Sequence, residues 1–68
     1  MAHHAFDVYL FDGRNSMHMD TVFATGYTAA EMRKSLIEHD GYPTNISVYR
    51  KAPDRPAYDD AARCTDRD

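Results

Sequence analysis

Residues 26–43 constrain this chain more than any other stretch, because both ends of one helix are written into them. Thr28 followed by Glu31 is a T-x-x-E capping box. The threonine oxygen accepts a free amide of the first turn, and the glutamate reaches back to the cap amide. Tyr27 and Met32 have the spacing of a hydrophobic staple. At the other end Gly41 can take the left-handed conformation that closes a helix. Tyr42 can then fold back on Ile37, and Pro43 forbids continuation. A helix is expected over residues 29–40. At 100° per residue Ala29, Ala30, Met32, Leu36 and Ile37 fall in one apolar arc, with Glu31, Lys34, Ser35 and Glu38 opposite. Arg33 lies inside the apolar arc. Its stem can cover apolar surface while its head reaches water, or its head can serve a partner at the helix edge.

The flanking segments read as strands. Residues 5–11, AFDVYLF, are rich in β-branched and aromatic types and run straight into Asp12-Gly13, a hairpin signal. Residues 16–24 form the second strand and residues 45–51 the third. Two even-length turns are compatible with the first pair. A two-residue loop sets Val8 opposite Met17, Phe6 opposite Met19 and Asp7 opposite His18. A four-residue loop sets Leu10 opposite Met17, Val8 opposite Met19 and Asp7 opposite Asp20. The shorter loop is favoured, since facing aspartates repel and an Asp–His pair does not. Either way the expected core face is Phe6, Val8, Leu10, Met17, Met19 and Phe23, joined by Ile46 and Val48 of the third strand.

The expected fold class is therefore α+β: a small two-layer ββαβ domain. Its three-stranded antiparallel sheet has the preferred order 2-1-3, with one helix on one face. The first strand is apolar on both faces and suits the centre of a sheet. In this organisation residues 1–4 are a frayed N-terminus and residues 5–51 are the domain. Residues 52–68, rich in Pro, Ala and Asp, are a polar, disordered tail, with a short helix over 56–64 as an option. With 68 residues there is room for one domain and a small core, and such folds often lean on a disulfide, a metal or a second subunit. Cys64 is the single cysteine, so no intrachain disulfide is available.

Chemistry-bearing motifs are scarce. No glycine-rich phosphate loop, paired cysteines or H-E-x-x-H helix is present. A histidine third from a free amino terminus, as His3 or His4 would be, can chelate Cu(II), but the pattern arises readily by chance. Met17-His18-Met19 invites a copper reading, yet on a strand both methionines point away from the histidine. The expectation is no enzyme, no metal and no cofactor. The net charge is −3, and neither the domain nor the tail has the basic surface that dominates nucleic-acid affinity. No segment approaches the ~20 apolar residues needed to span a bilayer, and the N-terminus lacks a basic leader, so a cytoplasmic location is expected.

The functional expectation rests on the sheet face that one helix cannot cover. In this reading it shows Tyr9, Phe11, Val22 and Tyr49 with Asp7, His18 and Asp20, and Arg33 is the one helix residue able to join it. An exposed apolar patch with open strand edges favours association. The expected partner is the chain itself, as a homo-oligomer, or another protein. The alternative is single-stranded nucleic acid stacked on the aromatics, which the charge disfavours. The run DTVFATGYTAAEMRKSLIEHDGYPTNISV, residues 20–48, resembles small reading frames of bacteria and their phages. That resemblance implies no activity.

Overall fold

A computed structural model describes residues 3–52 and 57–64. Its elements are β1 (His4–Phe11), β2 (Ser16–Ala24), α1 (Ala29–His39), β3 (Ile46–Lys51) and β4 (Tyr58–Ala62). The strands form one antiparallel sheet in the order β2-β1-β3-β4. The α+β class and the 2-1-3 core of the sheet are as expected. The sheet has four strands rather than three, because a segment expected to be tail pairs with β3. Of the expected disordered tail, residues 53–56 and 65–68 lie outside the described residues, as do residues 1–2 of the expected frayed end. Residues 58–62 of that tail, part of the optional helix, are strand. His4 already belongs to β1.

Helix α1 begins as its sequence dictates. The Glu31 amide donates to Thr28 Oγ1 at 3.1 Å, and the Thr28 amide donates to Glu31 Oε1 at 2.9 Å. Asp40 is the C-cap, and Gly41 follows with φ +75°. The Tyr42 amide reaches back to the Leu36 carbonyl at 3.1 Å. That carbonyl also accepts the Asp40 amide at 3.1 Å, so the last turn closes without an orphan there. Ala29, Met32 and Leu36 are buried and Ile37 packs beside them, whereas Ala30, at the margin of the arc, is exposed. Tyr27, the outer half of the expected staple, is also exposed.

The core is Phe6 and Val8 of β1, Ala29, Met32 and Leu36 of α1, and Ile46 and Val48 of β3. Each fully buried large side chain contributes roughly 1.5–3 kcal/mol relative to exposure. Leu10, Val22, Ala24, Tyr42 and Ala62 close its rim. Arg33 sits at the helix edge beside this layer. Its Nε donates to the Ile46 carbonyl at 2.8 Å and a terminal nitrogen donates to the Thr44 carbonyl at 2.6 Å. The arginine thus ties the helix to the entry of β3.

The hairpin departs from expectation in two linked ways. Phe11 pairs with Ser16, so the loop has four residues, not the favoured two. Asp12 builds it: Oδ1 accepts the Arg14 and Asn15 amides at 2.9 and 2.8 Å, and Gly13 takes φ +102°. The register then shifts once between Val8 and Tyr9, leaving Met19 as an extra residue on β2. This bulge removes the objection to the longer loop. Asp7 now lies opposite Thr21 rather than Asp20. It also corrects the core face. Beyond the bulge Val22 and Ala24 turn toward the helix, opposite Phe6 and His4, while Phe23 turns away. Met17, Met19 and Phe23, all expected inside, are exposed. Met17 does lie opposite Leu10, but at the end of the sheet that the core does not reach.

β4 is a strand against its own propensity, since Asp and Ala are depleted in strands. Specific contacts hold it. Asp60 Oδ2 accepts the Ala29 amide at 2.9 Å, satisfying one free donor at the positive end of α1. Asp59 accepts from Arg50 Nε at 2.9 Å, and the same guanidinium donates to the Tyr27 carbonyl at 3.0 Å. After the strand, the Cys64 amide donates to Ser47 Oγ at 3.1 Å. A second bulge falls between Arg50 and Lys51.

Candidate interaction face

Strand alternation sends the even residues of β1 into the core and leaves Ala5, Asp7, Tyr9 and Phe11 on the opposite face. Register adds His18, Thr21 and Phe23 from β2, Ser47, Tyr49 and Lys51 from β3, and Tyr58 and Ala61 from β4. Among the described residues no helix covers this side.

Four rings cross it from edge to edge. Tyr9 packs edge-on to His18 with centroids 5.4 Å apart and to Tyr49 at 5.5 Å. Tyr49 in turn packs on Tyr58 at 5.1 Å. The Tyr9–Tyr49 edge-to-face pair adds roughly 0.5–1.5 kcal/mol beyond the area it buries.

Beside this row sits one carboxylate. Asp7 Oδ2 accepts the Tyr58 hydroxyl at 2.7 Å, and Oδ1 accepts the Thr21 hydroxyl at 2.9 Å. His18 Nε2 lies 3.8 Å from Oδ1 and 2.9 Å from Thr21 Oγ1. Thr21 has a single proton and gives it to Asp7, so the imidazole must donate to Thr21 through Nε2–H. Partial burial works to raise the Asp7 pKa, but the hydrogen bonds from Tyr58 and Thr21 and the nearby His18 and Lys51 outweigh it, and the net shift is downward from 3.8. The reciprocal effect raises Tyr58, first through its bond to Asp7 and then through Tyr9. The arrangement knits β2, β1 and β4 together around a charge kept ionised. A tyrosine held protonated is a poor nucleophile, and both Asp7 oxygens and the Thr21 and Tyr58 hydroxyls are engaged within the chain.

Tyr9 and Tyr49 stand at the centre of the face, and Phe11 lies on the same side at the end of β1. Val22 does not join them: it faces the helix and packs on the core. Asp20 is likewise on the helix side, where it accepts the Tyr42 hydroxyl at 2.9 Å. Arg33 spends its guanidinium on two backbone carbonyls of its own chain. Three members of the face escape sequence reasoning. Phe23 is displaced by the bulge, Thr21 exchanges sides with Asp20 for the same reason, and Tyr58 belongs to a strand without strand propensity. The one cue to Tyr58 is that it is the sole aromatic after residue 51.

Among the described residues no group of three or more His, Cys, Asp or Glu could hold a metal, and no helix is long and apolar enough to cross a membrane. The chain matches no known protein family, no curated protein and no solved structure.

Proposed function

We propose that this chain is a protein-interaction module that receives a second chain along β2 and the adjoining sheet face, with a second copy of itself as the first partner to test. One observation carries the reading. Phe23, Met17 and Met19 are 68%, 57% and 46% exposed, and all three lie on β2, the edge strand of the sheet. An edge strand offers unpaired backbone donors and acceptors, and apolar side chains beside them favour pairing over solvation. The Met19 bulge breaks that edge into two parts, so the segment from Asp20 to Ala24, with Phe23 on the open face, is the longer run available.

Sedimentation across a wide concentration range tests this. The expected result is mass rising with concentration, less steeply in Phe23→Glu than in the unaltered chain. A strict monomer at every concentration, together with no capture of another protein that Phe23→Glu removes, sinks the proposal. Single-stranded nucleic acid is served less well by the same face. Ionised Asp7 lies among the rings, and Tyr9 and Tyr49 are packed edge-on to each other rather than splayed for stacking. Titration with random oligonucleotides at low salt that shifts the Tyr9 and Tyr49 resonances would favour that reading instead.

A further inference from the structure

The edge opposite β2 carries a different message. Among the described residues the buried core is complete without β4: its seven members come from β1, α1 and β3, and β4 adds only Ala62 at the rim. With the Tyr58 ring packed on Tyr49, the strand is seated chiefly by polar fittings that belong to the body of the domain. These are the Arg50 guanidinium for Asp59, the Ala29 amide for Asp60, the Asp7 carboxylate for Tyr58 and Ser47 Oγ for the Cys64 amide. A strand held this way, of low propensity and with a bulge in its ladder, opens at lower free energy than the core strands. When it leaves, the outer edge of β3 and all four fittings lose their partners together. What they fit is an extended Tyr-Asp-Asp segment, and every other copy of the chain carries one.

We infer that β4 is an exchangeable strand, and that the slot along β3 accepts β4 of a second copy with the contacts it makes within one chain. Two chains that trade β4 satisfy both slots and close the assembly as a two-fold pair. This pairing uses the edge remote from β2, so it stands or falls apart from the function proposed above.

Native Cys64 supplies the probe, because its Sγ lies 3.5 Å from Ser47 Oγ and Ser47 is buried. The Ser47→Cys chain alone should close a disulfide within itself when oxidised dilute. The exchange test mixes the unaltered chain with an isotope-labelled Ser47→Cys/Cys64→Ser chain at high concentration before oxidation. The expected product is a mixed dimer linked from Cys64 of the unaltered chain to position 47 of the labelled one, located by peptide mass. Linkage through Cys64 to Cys64 alone, or no linkage, overturns the inference. Hydrogen exchange on the unaltered chain decides the matter if the variants do not fold. β4 amides should exchange at least tenfold faster than β1 amides in dilute solution and gain protection as concentration rises. Equal protection of the two strands, or no dependence on concentration, overturns it. Phe23→Glu should leave both results unchanged.

Discussion

Asp7 is a charged side chain that three other residues are arranged to serve. Tyr58 and Thr21 give it their hydroxyl protons, and His18 steadies it through Thr21. A hydrogen bond to a charged acceptor contributes more than a neutral one, so Asp7→Ala should cost about 1–3 kcal/mol. Urea denaturation measures the loss. The same variant should bring the Tyr58 titration, followed by tyrosinate absorbance, back toward its ordinary value of 10.0, because the largest cause of its upward shift is gone. Arg33 makes the opposite point about reading side chains from a helical wheel. Its position within the apolar arc is legible, and the two readings of it concern solvent and partners. Its actual bonds run to backbone carbonyls of residues 44 and 46, and the wheel contains neither.

Elements differ in how much of their cause is local. Helix α1 is legible because its caps lie within the segment itself. Thr28→Ala removes the acceptor for Glu31 and idles the returning bond, with an expected loss of about 1 kcal/mol in thermal or urea unfolding. Gly41→Ala should lose about as much, since φ +75° is strained for a residue with a Cβ. The first and third strands are legible from alternation. β2 is half legible: its residues are right, but alternation presumes an unbroken phase, and Met19 interrupts it. The expected repulsion between Asp7 and Asp20 is real physics that the chain avoids by shifting register rather than by shortening the loop. β4 is not legible, because the contacts that make Tyr-Asp-Asp a strand come from outside the segment, from Asp7, Ala29 and Arg50.

For the molecule as a whole the pKa directions define a pH window. Asp7, Asp12 and Asp59 are all lowered from 3.8. For Asp7 the opposing burial is outweighed by hydrogen bonds, for Asp12 the amides of Asn15 and Arg14 dominate, and for Asp59 the Arg50 guanidinium does. A folded pKa below the unfolded one gives stability that is present above the unfolded value and lost as pH falls through the folded values. Tyr42, through its bond to Asp20, and Tyr58, through its bond to Asp7, are raised from 10.0. Their contribution is complete below that value and lost as pH rises through the folded values. Urea midpoints should therefore be flat between about pH 5 and 9 and fall on both sides. Loss of the Asp7–Tyr58 and Asp59–Arg50 contacts should open β4 ahead of the core on the acid side, which hydrogen exchange at low pH would report.

Met19 can be removed on paper without disturbing a single pairing. His18 would still meet Tyr9, Asp20 would still meet Val8, and each residue after it would keep its present partner. Losing one residue within a strand ordinarily reverses everything beyond it, yet here the in-frame loss of one codon restores an even ladder. The shortened chain should keep its circular dichroism, and its unfolding free energy to within ~1 kcal/mol. Its edge, no longer interrupted, should be the more adhesive one. Loss of that one codon should therefore be felt in solubility rather than in the fold.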